Sequence, residues 1–122
     1  MQKLLITSLI GILLMASGRG ASGFVHQAPA GGKTVTVDMK EFRFIPSQLT
    51  VERGRVTFEV RNSGQLAHIF QVTGPGVDTH IALLPEGADS LEVPLSVPGE
   101  YTLICPIPTH PEQGMRGSIV VR

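Results

Sequence analysis

Between residues 34 and 122 apolar positions recur every second residue. In "KTVTVDMKEFRF" Val35, Val37 and Met39 alternate with Thr34, Thr36 and Asp38, the period of a strand with one buried face. "SQLTVER" puts Leu49 and Val51 on one face, and "RVTFEVRN" sets Val56, Phe58 and Val60 against Thr57, Glu59 and Arg61. "HIFQVTG", "SLEVPLSV", "EYTLIC" and "GSIVVR" are short, apolar or alternating, and rich in β-branched residues, which suit a pleated surface. Turn formers divide these runs at Arg53–Gly54, Asn62–Gly64, Gly74–Gly76, Pro85–Gly87 and Pro98–Gly99. Short strands at this spacing predict an all-β domain, an antiparallel sandwich or barrel of about seven or eight strands. Residues 77–88, "VDTHIALLPEGA", have the weakest pattern and are expected to form a loop between sheets or a single helical turn.

The N-terminal stretch follows another pattern. Lys3 precedes the apolar run "LLITSLIGILLMA", Leu4 to Ala16, and "ASG" then occurs at Ala16–Gly18 and at Ala21–Gly23. A basic start, a short apolar run and small residues are the marks of an export signal. The run is shorter than the roughly 20 residues that span a bilayer. Residues 1–23 are therefore expected to be a signal peptide or, if uncleaved, an anchor. Residues 24–33, "FVHQAPAGGK", read as a flexible leader and residues 34–122 as the folded domain. The expected location is the periplasm or the outer face of the cytoplasmic membrane, with membrane contact only through the N-terminal segment.

Charge narrows the partners. Loss of Lys3 and Arg19 with the export segment leaves eight basic and ten acidic residues. The chain has no basic tail or Lys/Arg cluster, which argues against nucleic acid. Between Arg61 and Arg116 there is no Lys or Arg, whereas Asp78, Glu86, Asp89, Glu92, Glu100 and Glu112 all fall there. If these acidic groups share a face, they would steer a basic partner to it.

Export also gives meaning to the only cysteine, Cys105. A single thiol in an oxidising compartment is buried and inert, joined to another molecule, or bound to a metal. The stretch "CPIPTHPEQGM" spaces Cys105, His110 and Met115 as C-x4-H-x4-M within one loop between two strands. A soft thiolate, imidazoles and a thioether are the donor set that selects copper. A second imidazole must come from elsewhere, and His68, at the start of "HIFQV", is the best candidate. His26 lies in the leader, and His80, between "GPG" and "PEG", reads as a surface residue. Taken singly, each candidate has an ordinary structural reading, Cys105 as a small buried hydrophobe and Met115 as core filler.

These residues resemble those of the cupredoxins, of the plastocyanin and azurin type. The likeness covers residues 34–122. It is carried by "EFRFIPSQLTVERGRVTFEVRNSGQLAHIF" and by "PGEYTLICPIPTHPEQGMRGSIVV", in which Gly99, Tyr101 and Cys105 match G-x-Y-x-x-x-C. His110, Gly114, Met115 and Gly117 match the family's H…GM-x-G ending, and the ligand spacing is like that of rusticyanin. The resemblance implies a Greek-key β-sandwich and one copper ion, cycling between Cu(I) and Cu(II) and held by His68, Cys105, His110 and Met115. It also implies that the backbone N–H groups of Ile69 and Ile107 reach the Cys105 sulfur. Pro106 has no N–H to offer.

The function then expected is single-electron transfer between redox proteins, such as a c-type cytochrome or a membrane oxidase or reductase. No small-molecule substrate is expected. An enzyme is disfavoured, because a second copper centre would need histidines or a second cysteine that the chain lacks. Cys105 beside Pro106 also lacks a helix N-terminus to activate it as a nucleophile. The alternative is a periplasmic copper carrier or chaperone that passes on the ion itself. Such a carrier usually presents several methionines, and the chain beyond residue 23 holds only Met39 and Met115.

Overall fold

The computed structural model describes residues 32–122. The expected export segment and the leader up to Gly31 lie outside the described residues. Nine strands follow one another: β1 (Lys33–Lys40), β2 (Arg43–Ile45), β3 (Gln48–Val51), β4 (Gly54–Asn62), β5 (His68–Gly74), β6 (Val77–Leu83), β7 (Ala88–Leu95), β8 (Gly99–Ile104) and β9 (Arg116–Val121). The described residues contain no helix long and apolar enough to cross a membrane.

The strands form two sheets, ordered β2-β1-β4-β7 and β3-β9-β8-β5-β6. The expectation of a sandwich holds, with two more specific findings. The described residues form nine strands, because the turn at Glu41–Phe42 splits the first alternating run into β1 and β2 and residues 77–83 add β6. The sheets are mixed, since β1 runs parallel to β4 and β3 parallel to β9. Alternation reveals which face of a strand is buried but not the direction of its neighbour. Residues 77–83 are neither a loop nor a helical turn. They form β6, which pairs with β5 from His68↔Leu83 to Gly74↔Val77.

Alternation fills the space between the sheets. Val37, Met39, Val56, Phe58, Phe70, Val72, Val93, Leu95, Tyr101, Leu103 and Ile119 are fully buried. Phe70 packs edge-on against Phe44, with centroids 5.9 Å apart, and tilted against Phe58 at 5.3 Å. Tyr101 buries its ring and donates its hydroxyl to the Val97 carbonyl at 2.7 Å, which satisfies the one polar atom it brings inside.

The registers fix what stands at each end of the sandwich. Met39 lies opposite Asn62, His68 opposite Leu83, and Ile104 opposite Arg116. The ends of β1, β4, β6 and β8 and the starts of β5 and β9 therefore form one rim. Asp78 lies opposite Thr73, and Glu100 opposite Val120, towards the other end. Glu92 lies midway on β7, paired with Arg55 across β4. The acidic interval is thus divided: Asp78, Glu92 and Glu100 lie away from the rim, whereas Glu86, bonded to the Asn62 carbonyl, Asp89, opposite Val60, and Glu112, in the loop before β9, lie at it.

Candidate metal centre

Four loops and turns meet at this rim, and they bring the four candidate ligands into one region. His68 is the first residue of β5, Cys105 follows β8 directly, and Met115 immediately precedes β9. His110 lies in the loop between β8 and β9. His68 Nδ1 stands 3.3 Å from His110 Nδ1, and Cys105 Sγ stands 3.5 Å from the same His110 nitrogen. One donor atom from each of the three lies within 4.8 Å of the other two. His68, Cys105 and Met115 are fully buried, and His110 keeps 7% of its surface exposed. His80 lies elsewhere, exposed on β6 opposite Gln71, as the sequence suggested. His26 falls outside the described residues.

The loop from Cys105 to Met115 holds its own shape. Cys105 N–H donates to the Met115 carbonyl at 3.2 Å and closes the base. Met115 N–H donates to His110 O at 3.1 Å, His110 N–H to Ile107 O at 3.0 Å, and Gln113 N–H to Thr109 O at 3.1 Å. Met115 is thus tied through its backbone to both Cys105 and His110. Among the described residues the non-glycine positive φ values are those of Phe42 (62°), Glu86 (66°) and Thr109 (76°). All three flank the rim. Each such residue costs on the order of 1–3 kcal/mol and persists only where its surroundings hold it. Phe42 is held edge-on against the His110 ring at 5.1 Å, and Thr109 accepts a second bond, from Gln113 Nε2 at 3.2 Å.

Asn62, fully buried, joins the loops on the other side. Its side-chain amide donates to Leu66 O at 2.8 Å and Leu83 O at 3.0 Å, and its Oδ1 accepts from Gly64 N–H at 3.0 Å. Its backbone exchanges bonds with Glu86 and Gly87. The sequence marked Asn62 only as a turn residue. Its spacing to Leu66 and Gly64 is that of a side chain bonding its own turn.

Glu41 was not among the expected site residues. Its Oε1 accepts from His68 Nε2 at 3.2 Å, from Gln65 N–H at 2.7 Å and from Leu66 N–H at 2.9 Å. The bond from Leu66, foremost, holds the carboxyl below its usual range, while burial works against this. An ionised carboxylate only accepts, so His68 carries its proton on Nε2 and its Nδ1 presents a lone pair. Burial first, and the neighbouring His68 second, push the His110 imidazole below its ordinary pKa, towards the neutral form in which imidazole binds metals.

The residues present fit a metal ion. His68 Nδ1, His110 Nδ1 and Cys105 Sγ converge within 4.8 Å of one another in the interior, a spacing at which all three can ligate one cation. Two imidazoles, a thiolate and a nearby thioether fit copper best. Among the described residues one backbone donor reaches the sulfur, Ile69 N–H at 3.4 Å, as expected. The second expected donor, Ile107, makes no such bond. The loop turns there, and Ile107 instead presents its carbonyl to His110 N–H.

The model of the cupredoxin-like domain family matches residues 5–121. Among solved structures the chain is similar to sodium-dithionite-reduced auracyanin from the photosynthetic bacterium Roseiflexus castenholzii. The TM-score is 0.67 and the identity 19%, over 74% of this chain and 97% of that one. It is also similar to auracyanin B, with a TM-score of 0.64 and 18% identity over 74% and 88% of the two chains. A third likeness is to auracyanin A, a "blue" copper protein from the green thermophilic photosynthetic bacterium Chloroflexus aurantiacus. Here the TM-score is 0.62 and the identity 21%, over 75% and 100%. At these identities the likeness establishes a shared fold. No curated protein matches the chain.

Proposed function

The chain belongs to the cupredoxin-like domain family, and from that premise we propose that it is a blue copper protein carrying single electrons between redox proteins outside the cytoplasm. The observation that carries this reading is the buried convergence of His68 Nδ1, His110 Nδ1 and Cys105 Sγ. In this reading those three residues hold copper, with Met115 as a weak fourth donor. Bound copper supplies a one-electron couple whose two oxidation states tolerate the same soft and borderline donors.

The protein's own contribution is rigidity and access. His68 is fixed by its strand pairing and by Glu41, and Cys105 by its backbone bond to Met115 and by Ile69 N–H. Donors that cannot move need little rearrangement when the charge changes. Full burial of Cys105 and Met115 keeps out water and competing thiols, which suits a retained ion better than one handed on. Of the four ligands only His110 retains any exposure, so its Nε2 edge is the electron's exit.

Copper added to the metal-free protein, followed by oxidation, tests the proposal in one spectrum. An intense copper–thiolate absorption is expected. Colourless protein, or the weak colour of copper bound through nitrogen and oxygen alone, would sink it. Met115 is examined through the potential. Thioether donation favours the oxidised ion, so Met115→Leu should fold, stay blue and raise the potential. Met115→Gln supplies a harder oxygen and should lower it. The Leu change is nearly volume-conserving and should cost less than about 1.5 kcal/mol. Two unchanged potentials would remove Met115 from the ligand set.

The surface beside His68 and Ile107 is apolar. Leu84 is 73% exposed and Leu66 45%, and Ile107, Leu84 and Ala82 line a trough beside His68. In this reading a redox protein, such as a c-type cytochrome or a membrane oxidase or reductase, docks here by apolar contact. Ile107→Lys should slow transfer roughly tenfold, about 1.4 kcal/mol, and leave the visible spectrum unaltered. An unaffected rate in stopped-flow mixing with the physiological partner would place docking elsewhere.

A further inference from the structure

We propose that Glu41 is a positioning residue of the metal centre, one that sets its redox bias: its carboxylate fixes His68 with the proton on Nε2 and strengthens Nδ1 as a donor, favouring the oxidised ion. The inference rests on the blue copper reading above. Three donors converge on the single oxygen Oε1, namely Gln65 N–H at 2.7 Å, Leu66 N–H at 2.9 Å and His68 Nε2 at 3.2 Å. The His68 side chain is fully buried, while that of Glu41 is 33% exposed. The carboxylate therefore links the buried imidazole to the protein surface.

The loop is shaped around the contact. Gly64 leaves room for the carboxylate, because a Cβ there would come closer than 3.0 Å to Oε1. Asn62 Oδ1 holds Gly64 N–H in place. A carboxylate hydrogen-bonded to a metal-ligating imidazole fixes its tautomer and raises its basicity. A more basic donor stabilises the more highly charged ion more, so the charge on Glu41 lowers the reduction potential.

Glu41 also staples loop 63–67 to the β1–β2 turn, and the charge must be separated from that mechanical role. Glu41→Gln does so, since an amide oxygen at the Oε1 position still accepts from all three donors. The variant should fold and stay blue. Its preference for oxidised over reduced copper should fall about tenfold, if the oxidised ion bears the low end of the roughly 10–100-fold loss of metal affinity that such partners' removal costs. For a one-electron couple that is a rise of about 59 mV. Gly64→Ala keeps the charge but displaces it and should shift the potential in the same direction.

A second readout needs no electron transfer. In the Cu(I)-loaded wild-type protein, ¹⁵N NMR should show His68 protonated at Nε2. Equal potentials for the wild type and Glu41→Gln would overturn the role of Glu41 while leaving the blue copper reading intact, whereas a His68 protonated at Nδ1, which has no lone pair there for the metal, would overturn both. A wild-type protein that binds copper without the intense band would overturn both.

Discussion

Cys105→Ser should abolish the intense visible absorption of the copper-loaded protein and leave the sandwich folded. The band needs a thiolate, and Cys105 is the only cysteine of the chain. A hydroxyl is a harder and far less acidic donor, so Cu(I) affinity should fall by more than the 10–100-fold that loss of an outer partner costs. The fold should tolerate the change. Serine is close to cysteine in shape, and Ile69 N–H, now directed at Sγ, meets an oxygen there instead. Burying the hydroxyl should cost about 1–3 kcal/mol, within what a domain of this size survives. Absorption and circular dichroism on one sample decide the matter. A retained band would mean that sulfur is not the donor, and the proposed function would fall with it.

Gly117→Ala should do the reverse, damaging the fold more than the donor chemistry. Gly117 is the second residue of β9, opposite Leu103. A Cβ there would lie well inside 3.0 Å of the Ser47 carbonyl oxygen. That oxygen accepts Ser118 N–H at 2.9 Å and anchors the crossing from β2 to β3. The obstacle is backbone and cannot rotate away, so the methyl must push the two segments apart. Forced overpacking of this kind costs about 3 kcal/mol, or roughly 12–24 °C in Tm for a domain near 90 residues. Thermal unfolding of the metal-free protein measures it without interference from copper. A Tm within a degree or two of the wild type would show that the crossing yields at little cost.

Much of this was legible in the chain. Alternation in "KTVTVDM" and "RVTFEV" named Val37, Met39, Val56, Phe58 and Val60 as one face of their strands, and each is buried. The ligand loop was legible because Cys105, His110 and Met115 are close in sequence and their chemistry is distinctive. β6 was obscured by Asp78 and His80, yet its alternation is regular in space, with Val77 and Leu83 buried and Asp78 and His80 outward. As an edge strand it needs polar residues on its open side. Glu41 was invisible for another reason. It lies 27 residues before His68, and the parallel register of β1 on β4, which places Met39 beside Asn62, brings them together. No local pattern encodes a partner's direction, so nothing marked Glu41 as more than part of the first strand run.

The register has one more consequence. Lys33 begins β1 opposite Val56, far from the rim. Arg122 ends the chain beside Arg53 and Val51 at that same far pole. Eight residues of β1, at about 3.3 Å each, put roughly 23 Å between this pole and Lys40. Whatever precedes Lys33, a tether from that side attaches at the foot of the molecule and holds His110 and its apolar surround outwards like a lamp on a post. A fusion or an electrode linker at either end would leave the electron's exit pointing away from the support.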